Sequence, residues 1–289
     1  MVSADHEDVE EAEGRELARL CRPDVKVGYC VAKTPHLASY RLRVAIPAAH
    51  LGCAYEIGTV GSPTFFYKHF EDNAALAKQC GPFVYDVVND HFDGKHGQYY
   101  RLMCGMAAAV TCSSEYMAEV IRRHTYSDAV VIDDPYENDD IEPQLVGDGV
   151  LWFGHQANIK SLHPYINVVT SICSNLPHDA VVPWSIDSER EQLQKCAVVL
   201  MTGDNRGASS NRIVKALRAG KYVVTPGGVP AWDELRDYIW VGDVKEGVRW
   251  ALNNREEACR QIQAGQRFVA TRNGPSLIGE QWKALFASI

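Results

Sequence analysis

The stretch from Gly203 to Leu235, GDNRGASSNRIVKALRAGKYVVTPGGVPAWDEL, constrains the fold more than any other part of the chain. It follows an apolar run, Cys196 to Met201, that reads as a buried strand. Ser209, Ser210 and Asn211 then supply good N-cap side chains. From Arg212 onward Ile213, Val214, Ala216 and Leu217 recur at helical spacing, and Gly220 stands where a helix-ending glycine belongs. A second apolar strand, Tyr222 to Thr225, stops at Pro226-Gly227-Gly228. Strand, capped helix, strand and glycine-rich loop form a right-handed crossover if the two strands are parallel.

The chemistry of this unit favours an anion. A helix N-terminus offers unpaired backbone N–H groups and partial positive charge, which suit phosphate. Arg212, Lys215 and Arg218 follow at three-residue spacing, which keeps neighbours within reach of one another. The first two can then reach a diphosphate near the cap. A solvated basic face without a ligand is the competing reading.

The rest of the chain repeats the alternation. Strands are predicted at Val25–Val31, Tyr55–Val60, Pro82–Val88, Ala108–Cys112 and Ala129–Ile132, with helices near 42–51, 72–79, 99–106 and 114–123. The acidic, aperiodic stretch Asp133–Gly149, with its Pro and Gly, reads as a linker. A second alternation begins with the strand VLWFG at Val150, followed by a helix reaching Cys173 and a strand at Ala180–Val182. Helices at 188–195, 243–253, 256–271 and 278–286 complete the reading. Alternating strands and helices predict parallel sheets with helices on both faces, whose ligands bind at the carboxyl ends of the strands.

Composition narrows the class. The hydrophobic fraction of 46%, with 13 Tyr, 8 Phe and 6 Trp, suits globular domains with real cores, and 289 residues allow two of ordinary size. No apolar run is long enough to span a membrane, and the acidic start is unlike a signal peptide. Nine scattered cysteines without a C-x-x-C pair point to reduced thiols in a cytoplasm rather than disulfides or a zinc site. Residues 1–16 hold seven acids and one Arg, so most of the net charge of −8 belongs to this arm and the body is close to neutral.

The segments VLWFGHQANIKSL, LQKCAVVLMTGD and SSNRIVKALRAGKYVVTPGGVPAWDEL resemble the C-terminal half of GT-B glycosyltransferases, nearest the family-4-type retaining group. SYRLR, FVYDVVNDHF, AAAVTCSS and VVIDDPYE are similar to the order of strands and loops in the N-terminal half of that group, so the resemblance spans roughly residues 25–286. It implies an α/β fold of two Rossmann-like domains facing across a cleft. The expected organisation is an acidic arm (1–20), an acceptor domain (21–135), a linker (136–149), a donor domain (150–271) and a C-terminal helix (272–289) returning to the first domain. It implies a nucleotide-diphosphate sugar as co-substrate, a UDP-sugar foremost, with no bound cofactor and no metal.

Carried over position by position, the resemblance places Gly154 and Lys160 beside the donor diphosphate, with Ser209, Ser210, Asn211, Arg212, Gly227 and Gly228 completing the donor side. The family's E-x7-E motif is absent: Lys215 stands in place of the second Glu and Gly207 in place of the first. The usual ribose carboxylate contact is then either missing or supplied from elsewhere, for instance by Asp204, and Lys215 is free to hold phosphate. Asp90 and His91, at the end of the strand FVYDVV, are the implied catalytic pair that orients the acceptor or stabilises charge. Arg41 and Arg43 are the acceptor-side candidates, although their alternation allows one of them to pair with a linker acid instead. Asp90, His91, Asp93 and His96 can all ligate metal, but not at a standard spacing. Trp152, Trp240 and Trp250 fall in core patterns, whereas Trp184 and Trp232 sit at strand ends where a base or sugar can stack.

Two acceptors remain open, a carbohydrate, lipid-linked or small-molecule hydroxyl and the hydroxymethylated base of DNA, the latter because compact phage-type enzymes share the fold. A non-catalytic pair of domains that binds a nucleotide or a protein partner competes with both, and a sugar-nucleotide epimerase of the same fold is a further alternative.

Overall fold

The computed structural model describes residues 28–30, 37–52, 63–67, 73–203 and 209–289. They form two compact units. The first comprises the described residues up to Ser113 with Ala118–Asp133 and Pro275–Ile289, and the second Ser114–Met117 with Asp134–Gly274. The segment 136–149, expected as a linker, therefore packs as part of the second unit.

The first unit holds a parallel sheet in the order β1 (Gly28–Cys30), β2 (Thr64–Tyr67), β3 (Phe83–Val87), β4 (Ala109–Cys112) and β5 (Ala129–Val131). The register runs Phe66 opposite Tyr85 and Tyr85 opposite Val110. β2 and β3 are buried at every position, as strands covered on both faces must be. The expected strand at 55–60 lies outside the described residues. The apolar run Thr64–Tyr67, directly after Pro63, is the strand that pairs with β3.

A helical stretch, α1, runs through Ala38–Tyr40, a π-helical segment Arg41–Ala45 and Ile46–His50. It starts earlier than the apolar spacing suggested and buries Leu42, Arg43 and Val44. α2 (Asn73–Ala77) lies between β2 and β3, α3 (Gly97–Met106) between β3 and β4, and α4 (Glu115–Thr125) between β4 and β5. Further along the chain, α10 (Pro275–Ala287) closes the core of this unit. Its Trp282 packs edge-on against Phe65 at 5.3 Å and stacks on Phe286 at 5.7 Å.

The second unit holds a sheet in the order β11-β10-β9-β6-β7-β8, with all described pairs parallel. Its strands are β6 (Val150–Phe153), β7 (Ser171–Ser174), β8 (Val182–Pro183), β9 (Val198–Leu200), β10 (Tyr222–Thr225) and β11 (Trp240–Val241). From β6 the chain builds outward through β7 and β8, then returns to the other side of β6 and builds outward again. The order therefore reverses between β6 and β9. At such a switch point the two adjoining crossovers diverge and leave a crevice at the carboxyl ends of the strands.

The helices of this unit are α5 (Ile159–Leu162), α6 (Ile186–Lys195), α7 (Asn211–Arg218), α8 (Val244–Asn253) and α9 (Arg255–Arg272). The predicted helix reaching Cys173 is not formed. A 3-10 turn, the four-residue α5 and a second 3-10 turn at His163–Tyr165 lead instead into β7. Pro164 has no N–H to continue a helix, and Ile172 and Cys173 are needed opposite Trp152 and Phe153.

α6 begins with a reciprocal capping box between Ser185 and Ser188. α7 ends in a Schellman motif: Gly220 has φ +69°, its N–H donates to Leu217 O, and Lys221 N–H donates to Ala216 O. Among the described residues, no helix is long and apolar enough to cross a membrane.

Candidate functional site

Arg212, in the first turn of α7, occupies the switch point of the second sheet. Its Nη1 donates to Phe153 O at the end of β6 (3.1 Å), and its Nη2 lies 3.4 Å from Thr202 O just beyond β9. The guanidinium thus spans the carboxyl ends of the two strands between which the order reverses. Burial pulls its pKa from 12.5 down to about 10, with the Glu189 charge acting in the opposite direction, so it stays cationic at neutral pH.

Gly154 and Gly203 make room for this side chain. A Cβ on Gly154 would lie 2.8 Å from Arg212 Nη1, and one on Gly203 would lie 3.6 Å from the ring of Trp232. Trp232 is 4% exposed, and its indole N–H has no partner among the described residues. A short polar chain fixes the strand ends: Trp152 Nε1 donates to Thr202 Oγ1 (2.9 Å), and Ser161 Oγ lies 2.9 Å from the same oxygen. At the end of β10, Gly227 and Gly228 have φ of +89° and +83°. This left-handed pair leaves the backbone bare of side chains where the strand opens. Thr225 Oγ1 accepts from Gly227 N–H at 3.2 Å.

The start of α7 differs in detail from the expected cap. Ser210 is the N-cap residue but makes no side-chain capping bond. Ser209 Oγ instead accepts from Asn211 N–H (3.1 Å) and donates to the Asp134 carboxylate. Asp204 lies outside the described residues. His155 caps its own 3-10 turn through Nδ1, and Lys160 is exposed on α5.

The three basic residues of α7 do not face one ligand. Lys215, expected to hold phosphate, is enclosed by two carboxylates, Glu189 at 2.7 Å and Glu137 at 3.0 Å. Burial alone would lower its pKa, but the two carboxylates outweigh that effect and raise it. Glu189 also accepts from Trp184 Nε1 at 2.7 Å, which ties that indole to the same cluster. Arg218 donates to Asn138 O (2.6 Å), pairs with Asp140 (3.0 Å) and lies over the Tyr136 ring at 3.5 Å. Both turn toward the segment 136–140, whose acids satisfy them, and only Arg212 is left at the strand ends. Glu137 and Glu189 were not singled out by the sequence, because 78 and 26 positions, respectively, separate them from Lys215 and no local pattern joins them.

In the first unit, Asp90 and His91 follow β3 at the carboxyl edge of its sheet. Asp90 Oδ1 accepts from Phe92 N–H at 3.3 Å, and His91 is exposed with its ring edge-on to Tyr100 at 5.6 Å. Among the described residues, no three His, Cys, Asp or Glu side chains gather as ligands for a metal.

Arg43 is not an acceptor-side residue. It is 2% exposed and donates to both oxygens of Asp86 (3.0 and 2.6 Å) and to the carbonyl of Ile132. Its guanidinium lies 5.1 Å from the Trp282 ring centre. Asp86 belongs to β3, and Arg43 Nη1 also lies 3.4 Å from the Asp133 carbonyl oxygen, where the expected linker stretch begins. Arg41, two residues earlier in the π-helical segment, is half-buried.

No protein-family model matches the chain, and no curated protein does. Solved structures do match in fold. HepE of Anabaena, in complex with UDP and glucose, is 13% identical with a TM-score of 0.65, over 91% of this chain and 100% of its own. Sucrose-phosphate synthase from Thermosynechococcus elongatus is 10% identical with a TM-score of 0.59, over 99% and 95%. A putative UDP-N-acetylglucosamine 2-epimerase from Listeria monocytogenes is 10% identical with a TM-score of 0.56, over 91% and 96%. At these identities the likeness is one of fold, and the fold is the GT-B type with two Rossmann-like domains.

Proposed function

We propose that the chain is a glycosyltransferase that takes a sugar from a nucleoside diphosphate, UDP foremost, and transfers it with retention to an acceptor hydroxyl. The observation that carries this reading is Arg212 at the switch point, beside Gly154 and Gly203 and on the same strand edge as the bare turn Gly227-Gly228. A fixed cation next to glycine backbone, which carries no side chains of its own, is suited to a diphosphate. That HepE, of the same fold, has been crystallised with UDP-glucose supports the assignment.

In this reading the bond from the sugar's anomeric carbon to the diphosphate oxygen breaks, and the departing diphosphate keeps the electron pair. Arg212 stabilises the charge that develops there, the largest catalytic contribution expected of a site without a protein nucleophile. The acceptor oxygen forms its bond on the face the leaving group vacates, and its proton passes to the departing phosphate oxygen. Asp90 and His91 orient the acceptor from the first domain, 21–135, while 150–271 binds the donor. Ser209, Ser210 and Asn211 line the donor side at the start of α7. Lys215 serves as a clamp between Glu137 and Glu189 rather than as a phosphate ligand. A carbohydrate or small-molecule hydroxyl is the acceptor.

A thermal-shift screen with UDP, GDP, ADP and CMP tests the donor half. Ligand at 100 times its Kd should stabilise by about 2.7 kcal/mol, with UDP selective. Arg212→Met should weaken UDP roughly 10- to 100-fold, the worth of charge-assisted hydrogen bonds, while uridine binds as before. No response to any nucleoside diphosphate would refute the reading. UDP binding without sugar release or transfer to any acceptor would favour the non-catalytic module.

A further inference from the structure

The second unit carries a groove of about 640 Å³ along α6 that the proposed reaction does not use. Ile186, Glu189, Arg190, Leu193 and Gln194 fall on one helical face and form one wall, and the segment 137–146 forms the other. Ile141, Val146 and Ile186, all large apolar side chains left exposed, line it together. Its two ends differ in charge. At one, the single Lys215 ammonium pairs with both Glu137 and Glu189 and leaves the cluster net negative. At the other stands Lys221, 6% exposed, whose ammonium, among the described residues, reaches only the carbonyl of Gln194 at 3.5 Å.

Among the described residues, no carboxylate pairs with Lys221. Burial lowers its pKa, an effect the nearby Cys196 and Cys259 thiols partly oppose. A buried ammonium without a counter-ion is costly, and a cavity beside it gives an anion somewhere to sit. Glu142, the acid next along that wall, is exposed and accepts from Gln263 at 3.2 Å. Lys221 directly precedes β10, and Gln194 lies shortly before β9. This end of the groove is therefore at the amino edge of the strands, opposite the edge that holds Arg212.

We propose that Lys221 binds the anionic head, a carboxylate or phosphate, of a small molecule whose short apolar stem lies against Leu193, Ile141 and Val146. Glu189 and Gln194 are five residues apart on α6, so the two ends are separated by roughly 7.5 Å at 1.5 Å per residue. The stem is accordingly only a few carbons long.

Titration calorimetry with hexanoate and with hexyl phosphate tests this, with hexanol as the uncharged control. Both anions should bind the wild type, the tighter one showing which head group the site prefers, and hexanol should bind far more weakly. Lys221→Met keeps the length and apolar character of the stem but removes the charge, and should weaken the anions roughly tenfold or more. Val146→Glu, on an exposed wall position, should weaken them without touching Lys221. UDP should not displace them. Equal binding to Lys221→Met, equal binding of hexanol, competition by UDP, or no anion binding at millimolar concentration would each overturn the proposal.

Discussion

Arg43→Met is the perturbation whose cost the structure defines best. The wild-type guanidinium donates to both oxygens of Asp86, and Thr111 Oγ1 donates to Asp86 Oδ1 at 2.7 Å. Asp86 is 0% exposed, so water cannot take over the lost bonds. Removing Arg43 leaves that carboxylate with the Thr111 hydroxyl and strands the Ile132 carbonyl. Breaking a buried pair by deleting one partner costs about 3–5 kcal/mol. With an m-value of about 2 kcal/mol/M in urea, the midpoint should fall by roughly 1.5–2.5 M. Trp282, at 5.1 Å from the guanidinium, reports on the same unit by fluorescence. Arg43→Met/Asp86→Leu removes both charges and should recover much of the loss. Below the midpoint, UDP affinity should be unchanged, because Arg43 is enclosed in its own core. A loss under 1 kcal/mol, or a double variant no better than the single one, would refute the account of Arg43 as a structural ion pair.

Lys215 should show itself in alkali. Its pKa is raised in the folded state, so its contribution is complete below the unfolded value near 10.5 and is lost as pH rises through the folded one. Buried Tyr100 and Tyr222, also raised, titrate in the same direction, so the measurement is the difference between wild type and Lys215→Met. That difference in urea stability should narrow above about pH 10.5, and a gap that stays constant would count against the triad. Two glycines separate conformational strain from close approach. Gly147→Ala meets nothing within 4 Å at φ +69° and should cost about 1 kcal/mol. Gly220→Ala has the same φ but would place its Cβ 2.9–3.1 Å from the backbone of Ile141, Glu142 and Pro143, and should cost roughly 2–3 kcal/mol by thermal denaturation.

The fold class was legible because parallel strands buried on both faces appear as short apolar runs, and VLWF, AVVLM and YVVT are such runs. Helical spacing misled at 158–173, where Leu162, Tyr165 and Val169 mimic one face of a helix. Pro164 and the β-branched run Val168-Val169-Thr170 were the contrary signals. The site was legible only in outline. Arg212 and the Gly227-Gly228 turn stand in a local motif, so sequence could single them out. The partners that decide what Arg43, Lys215 and Arg218 do lie 26 to 89 positions away, and only the folded chain brings them close. The switch point itself is a matter of strand order, which periodicity does not encode.

The placement of α10 governs how the chain can be made. Ile278, Trp282 and Phe286 belong to the same core as Tyr40, Phe65 and Val84, yet the whole span 134–274 is translated between the two groups. The usual order, in which the earlier domain matures first, should therefore be reversed. The second unit can settle as soon as it clears the ribosome, while the first waits with Phe65 uncovered until Trp282 arrives. During that interval the nascent chain presents an incomplete apolar face, and chaperone dependence should depend on the apolar residues of α10 more than on any residue around Arg212.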